Sequence, residues 1–173
     1  MKYVKIILLL ILFLNNLGAN ASDNLHKIKS LLEGRYELVY WKQDNIKFNY
    51  PIVAGTLIVK DNNISFTLDN NIKENKTTKI IAWGNYTLSS KKYNYSFFDF
   101  KKVTAKEKDI KISRDLPWRG FREYTIEFKK GNLLLTSMTG KQTWQLDENS
   151  LIYKDKEWGE EKKQILRYWK RVK

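Results

Sequence analysis

The reactive side chains of this chain limit the chemistry it can perform. Its 173 residues include no cysteine and one histidine, His26, so thiolate metal sites and cysteine nucleophiles are excluded and a serine nucleophile has no evident imidazole partner. No metal-ligand spacing and no glycine-rich phosphate loop is present, so we expect neither a metal nor a cofactor. Asp99 and Glu123 fall on predicted strands, where an acid–base site inside a folded core is conceivable.

Basic side chains form a second group that could bind a partner. Lysine and arginine number 32 against 19 acidic residues, which gives a formal net charge of +13. A cluster of them could contact an anionic lipid surface, which contributes about 1 kcal/mol for each nearby Lys or Arg. The cluster consists of Lys101, Lys102, Lys106, Lys108, Lys111 and Arg114. A generally solvated basic surface accounts for the same residues without any partner.

The first residues are typical of a secretory signal peptide. Two lysines precede an apolar run over 6–14, and small residues ending at Ala21 suit cleavage there. The run is shorter than the roughly 20 residues that a membrane-spanning helix needs. We therefore predict a signal peptide over 1–21 and one folded domain over 22–173, which is periplasmic or, alternatively, secreted. Export makes nucleic acid an unexpected partner, so none is predicted.

Short strand-like runs dominate the mature chain. Before them, apolar residues at helical spacing predict a short helix that begins at Asp23 and ends before Gly34. The alternation of Tyr124, Ile126 and Phe128 with polar residues is typical of a half-buried antiparallel strand. Local connections favour an all-β, antiparallel up-and-down barrel over a sandwich. Strands are predicted near 35–42, 55–60, 63–69, 78–88, 92–101, 109–114, 122–130, 132–138, 141–147, 150–155 and 164–172.

Several short motifs occur in an order that matches a known family. The Gly-x-Tyr of 34–36, the Leu-rich segment of 131–135 and the Trp-x-Arg of 169–171 are similar to motifs of the bacterial lipocalin-like domain family. The resemblance runs from about residue 32 to the end of the chain. It implies a lipocalin-like β-barrel whose mouth can hold one small apolar ligand. It also implies a structural latch in which Arg167 or Arg171 packs across Tyr36 with cation–π character.

Aromatic side chains are the candidate ligand-binding surface. The chain has 6 Trp, 10 Tyr and 8 Phe, enough to build either an apolar pocket or a filled core. Both outcomes are physically available to a small barrel, so both remain open here. The predicted lining residues are Tyr40, Phe66, Tyr95, Phe97, Tyr124, Phe128 and Trp144.

Three functions remain open from the sequence. The first is a monomeric exported barrel that binds or carries a small hydrophobic molecule. The second is a basic envelope interaction module that contacts anionic lipid or a protein partner through its outer surface. The third is a barrel enzyme of isomerase type, which requires Asp99 or Glu123 to face the barrel interior.

Overall fold

A computed structural model describes residues 23–159 and 161–173. The predicted signal peptide over 1–21 lies outside the described residues. Within them, a helix α1 over 23–32 precedes twelve strands. The strands are β1 (Gly34–Gln43), β2 (Ile46–Asn49), β3 (Val53–Lys60), β4 (Asn63–Asn70), β5 (Lys76–Leu88), β6 (Lys92–Lys106), β7 (Asp109–Ser113), β8 (Arg122–Lys129), β9 (Asn132–Ser137), β10 (Gln142–Leu146), β11 (Ser150–Trp158) and β12 (Lys163–Val172).

Ten of these strands close into an antiparallel barrel. Around the ring, each strand pairs with the next ring strand in chain order, and β12 pairs with β1 to complete the ring. The remaining two strands, β2 and β7, lie off the ring and form hairpins with β1 and β6. The predicted all-β, up-and-down barrel with a short N-terminal helix is therefore confirmed.

The side hairpins are where the strands differ from the sequence prediction. The pattern predicts eleven strands and misses β2, which spans only four residues, Ile46–Asn49. It also ends β6 near residue 101, whereas the strand continues to Lys106. The second half of β6 pairs with β5 on one edge and with β7, instead of the ring strand β8, on the other. Both differences come from pairing outside the ring, which local alternation does not reveal.

Helix α1 seals one end of the barrel. The Tyr36 hydroxyl on β1 lies 2.9 Å from the carbonyl oxygen of Leu31 and 3.1 Å from that of Leu32, and donates to them. Arg171 on β12 donates to the carbonyl of Ser30 at 3.1 Å and to the Tyr36 hydroxyl at 2.6 Å. The last carbonyls of a helix have no partner within it. Here β1 and β12 supply those partners, so the helix is fixed to the ring.

The opposite end of the barrel carries the side hairpins and a longer connection. β6 pairs with β8 only over Lys92–Tyr95, so beyond that point β6 has no ring partner on this side. The segment 114–121 between β7 and β8 covers the gap. Its Trp118 packs edge-on against Tyr95, with ring centroids 5.4 Å apart, and against Phe97 at 5.1 Å. Side-chain packing therefore replaces backbone hydrogen bonds over this part of the wall.

Candidate functional site

A cavity of about 460 Å³ occupies the barrel interior and opens at the end opposite α1. This volume falls in the range of roughly 300–1,000 Å³ that is typical of small-molecule sites. Aromatic side chains supply much of its wall, together with several aliphatic residues. The aromatic lining residues are Phe66, Tyr95, Phe97, Phe100, Trp118, Trp144, Tyr153, Trp158 and Trp169. The interior is thus hollow at the open end and filled by side chains towards α1.

The structure brings most of the predicted lining residues to this cavity. Four of the seven lie on its wall, namely Phe66, Tyr95, Phe97 and Trp144. Tyr124 is fully buried behind the wall and stacks on Tyr95 with ring centroids 5.9 Å apart. Phe128 is not on the wall. It is 38% exposed near α1, where the ammonium group of Lys27 lies 5.1 Å from its ring centroid.

The prediction that Tyr40 lines the barrel does not match its position, because β1 contains a β-bulge. The register with β12 shifts between Leu38 and Tyr40, so Trp41 rather than Tyr40 points inward and is 1% exposed. Tyr40 lies on the outer face, stacked on Tyr168 of β12 at 5.2 Å. Strict alternation from Leu38 would place Tyr40 inside. The sequence carries no turn or glycine signal that marks the extra residue.

A hydrogen-bonded network satisfies the polar groups on one wall of the cavity. The Gln142 side-chain oxygen accepts from Arg122 at 3.0 Å and from the Tyr124 hydroxyl at 2.7 Å. Its nitrogen donates to the buried carboxylate of Asp155 at 2.7 Å, and the Tyr153 hydroxyl donates to the same oxygen at 2.9 Å. The other Asp155 oxygen accepts a backbone N–H at 2.9 Å. The buried carboxylate therefore has three donors within the protein.

Arg167 on β12 is a buried charge outside that network. Its side chain is 5% exposed and lines the cavity. The guanidinium lies 4.1 Å from the ring centroid of Trp41, 4.2 Å from that of Trp158 and 5.3 Å from that of Tyr153. Trp41 and Tyr153 are its direct cross-strand partners on β1 and β11. Two of its nitrogens, Nε and Nη2, have no hydrogen-bond partner among the described residues.

Burial sets the protonation of the groups around the cavity. Desolvation lowers the pKa of Arg167 to about 10, so the guanidinium is still charged at neutral pH. Desolvation also raises the pKa of Tyr153 and of Tyr124 well above the usual tyrosine value. The tyrosine hydroxyls therefore remain neutral donors. The site combines the charged donors Arg167 and Arg122 with several neutral ones.

The two arginines predicted for the latch occupy different places. Arg171 lies over the Tyr36 ring, with its guanidinium carbon 5.1 Å from the ring centroid, at the sealed end. Arg167 packs on Trp41 instead, four residues earlier on β12 and further into the barrel. Sequence reasoning missed Arg167 and Asp155 as cavity residues. For Arg167 the signal is a charged residue at an inward position between two apolar ones, Ile165 and Trp169.

The predicted basic cluster extends along β6 and β7 and into the segment that follows. Lys102 lines the cavity mouth, whereas Lys106, Lys108, Lys111 and Arg114 are exposed on the outside. No ion pair found among the described residues involves a member of this cluster. Its charge is therefore available to solvent and to any docking partner.

The two carboxylates considered for acid–base chemistry lie away from the cavity. Asp99 and Glu123 are both exposed, and neither lines the interior. Glu123 forms an ion pair with Lys92 at 3.6 Å. The isomerase hypothesis required one of these carboxylates to face the interior, and the structure places neither there.

Comparison of the chain with models of protein families, with curated proteins and with solved structures finds no match. Across 23–159 and 161–173, no group of three or more His, Cys, Asp or Glu residues could hold a metal ion. No helix in the described part of the chain is long and apolar enough to cross a membrane. What the fold defines is a closed, ten-stranded antiparallel barrel, compatible with a lipocalin-like fold, with an aromatic-lined cavity at one end.

Proposed function

We propose that this protein is an exported lipocalin-like barrel that binds or carries a small hydrophobic molecule in its interior. The observation that supports the proposal is the 460 Å³ cavity, which is lined by aromatic and aliphatic side chains and opens at one end of the ring. A barrel whose aromatic residues served only as core would fill this volume with side chains. Burying a ligand there removes apolar surface from water on both partners.

The affinity of such a site should increase with the hydrocarbon content of the ligand. Each buried methylene group contributes about 0.8 kcal/mol, which is roughly a fourfold gain in affinity. The gain should stop once the chain is longer than the cavity can enclose. A homologous series of alkyl ligands, titrated by calorimetry, therefore reports both the apolar character and the length of the site.

Adjacent residues on β6 offer a matched pair of variants. Phe97 lies on the cavity wall, whereas Phe98 is 65% exposed on the outside. We expect Phe97→Gln to weaken the binding of a fluorescent apolar probe at least fivefold, because a polar amide replaces apolar wall. Phe98→Gln makes the same chemical change outside the cavity and should leave probe binding within twofold of the wild type.

The endogenous ligand can be sought directly. Native mass spectrometry of gently purified protein should show an added mass that organic extraction removes. If no adduct is found and no probe of a panel of fatty acids, isoprenoids and fluorescent apolar dyes binds at one per chain, the proposal is refuted. Equal effects of Phe97→Gln and Phe98→Gln would also contradict it, since binding would then not depend on the cavity.

A second candidate function is contact with an anionic lipid surface through β7. Ile110 and Ile112 on this side hairpin are 70% and 57% exposed, which is unusual for large aliphatic residues. Lys111 lies between them, and the other members of the basic cluster flank the hairpin. Exposed apolar side chains beside lysines match the two components of an anionic bilayer surface, its acyl boundary and its charged headgroups.

Vesicle co-sedimentation tests this second function. Wild-type protein should bind phosphatidylglycerol vesicles at low salt, bind phosphatidylcholine vesicles poorly, and dissociate as salt increases. Serine at both Ile110 and Ile112 should reduce binding several-fold. The control is Ile46→Ser on the other side hairpin, which is 62% exposed and distant in sequence from the basic cluster. If the wild-type protein is not retained on anionic vesicles at low salt, the proposed contact with an anionic lipid surface is refuted.

A further inference from the structure

The cavity wall contains more hydrogen-bond donors than acceptors. Besides Nε and Nη2 of Arg167, the indole nitrogens of Trp118 and Trp144 have no partner among the described residues, and both rings line the same cavity. The side-chain carbonyl and carboxylate acceptors of the wall are already used, because Gln142 accepts from two donors, Asp155 accepts from three, and Glu157 accepts from Lys141. Buried polar groups in proteins normally have partners. What this cavity lacks is an acceptor.

The missing acceptor has to satisfy a buried positive charge. A neutral hydrocarbon would leave Nε and Nη2 of the Arg167 guanidinium without a hydrogen bond in a largely apolar enclosure, which is costly. A carboxylate satisfies it, because the planar fork of a guanidinium matches the two oxygens of a carboxylate. We propose, on the basis of the proposed function above, that the ligand is a carboxylate amphiphile such as a fatty acid, whose headgroup pairs with Arg167 while its hydrocarbon chain occupies the aromatic cavity.

The surroundings of Arg167 prepare it for this role. Trp41 and Trp158 lie 4.1 and 4.2 Å from the guanidinium carbon, so ring contacts hold the side chain in place without using its N–H groups. Tyr153 contacts both Arg167, at 5.3 Å, and the Trp144 ring, at 5.9 Å. Arg167 and Trp144, which carry unpartnered donors, therefore both pack against the Tyr153 ring. An anchor that is already ordered loses little conformational entropy on binding.

The charge balance around the cavity favours one negative charge. The charged residues of the wall are three cations, Arg167, Arg122 and Lys102, and two carboxylates, Asp155 and Glu157, of which Asp155 is buried. A second, smaller cavity of about 270 Å³ shares Trp158 and Lys102 with the first and extends towards the rim. Its charged lining residues are Lys73, Lys76, Lys102, Lys163 and Glu161. A predominantly basic rim raises the local concentration of anions at the opening.

The test compares ligands that differ only in their headgroup. A fatty acid and the fatty alcohol of the same chain length are titrated by calorimetry into wild-type protein and into Arg167→Met, which retains an unbranched apolar stem. Wild type should prefer the acid at least tenfold. Arg167→Met should lose at least tenfold in affinity for the acid and change less than threefold for the alcohol. Lys170→Met, at an exposed position of the same strand, is the control and should behave as wild type.

The outcomes separate this inference from the proposed function. If wild type binds acid and alcohol equally well, the cavity binds apolar ligands but the headgroup assignment is wrong. If neither ligand binds, the proposed function itself fails. A tenfold preference for an alkyl phosphate over the carboxylate would overturn the carboxylate assignment. Should Arg167→Met not fold, Arg167→Lys replaces it: this variant keeps the charge but loses the fork, and a preference for the acid that is entirely unchanged would contradict bidentate pairing.

Discussion

The same substitution should affect stability very differently at two arginines of β12. Arg171 donates to backbone carbonyls of α1 and to the Tyr36 hydroxyl, and so connects the helix to the barrel. Arg167 is buried but has two nitrogens without partners among the described residues. We expect Arg171→Met to destabilise the protein clearly and Arg167→Met to change its free energy of unfolding by about 1 kcal/mol or less. The difference arises because Arg171 makes its hydrogen bonds within the protein, whereas Arg167 has nitrogens that we propose bind a ligand.

The magnitudes follow from the contacts. Hydrogen bonds to a charged group are worth about 1.5–3 kcal/mol each and are not additive, so losing the Arg171 contacts should cost roughly 3 kcal/mol. For Arg167, burial lowers the pKa to about 10, and a tenfold change in a protonation equilibrium equals about 1.4 kcal/mol. Keeping it charged in the barrel therefore costs roughly 3 kcal/mol. Its cation–π contacts with Trp41 and Trp158, about 2 kcal/mol each when desolvated, offset that cost.

Urea unfolding of ligand-free protein, followed by tryptophan fluorescence, measures both free energies. Lys170→Met is the control for removing a positive charge from β12, and it should fall within about 0.5 kcal/mol of wild type. If Arg167→Met lowers the free energy of unfolding by more than Arg171→Met does, the assignment of their roles is wrong. A loss below about 1 kcal/mol for Arg171→Met would show that the helix is fixed to the barrel by other contacts.

Three further predictions concern stability. A Cβ at Gly84 would lie 1.9 Å from the backbone oxygen of Ser96, so Gly84→Ala should cost roughly 3 kcal/mol or more; an unchanged urea midpoint would refute this close approach. Burial raises the pKa of Tyr36 to about 12, and tyrosine in the unfolded chain ionises near pH 10, so stability should fall between pH 10 and 12; a constant midpoint there would contradict it. The exposed Lys73–Glu161 ion pair should contribute under about 1 kcal/mol, so a larger loss in Lys73→Met would disprove its minor role.

The ring topology could be predicted from sequence because its signals are local. The turn at Asp61 and Asn62 and the turn at Lys130 and Gly131 separate runs with period-two alternation, and both turns contain the positive φ angles that tight hairpins need. Successive antiparallel hairpins then leave closure as the way to remove the edges. Alternation does not fix the inward face of the strand predicted over 92–101, because that strand is apolar on both faces, so Phe97 is a candidate lining residue through its aromatic type alone.

The polar half of the site could not be predicted in the same way. The position of Arg167 depends on which strand follows β12 around the ring, and that pairing joins residues more than 120 positions apart. Trp118 reaches the cavity from a segment without regular structure, where no periodicity applies. Trp158 lies at the end of β11, beyond a register irregularity after Asp155. Each of these contacts arises from tertiary closure, which a pattern of neighbouring residues does not encode.

The β-bulge of β1 decides which of two adjacent aromatic side chains contacts Arg167. Val39 is the extra residue: Leu38 pairs with Trp169 and Tyr40 with Tyr168, so Trp41 faces Arg167. If Val39 were paired in strict alternation instead, Tyr40 would lie opposite Arg167 and present a phenol to the guanidinium in place of an indole. Deleting Val39 would therefore leave Trp41 in place, whereas a slip of one residue in the register of β1 beyond Leu38 would exchange the ring at the site without any substitution.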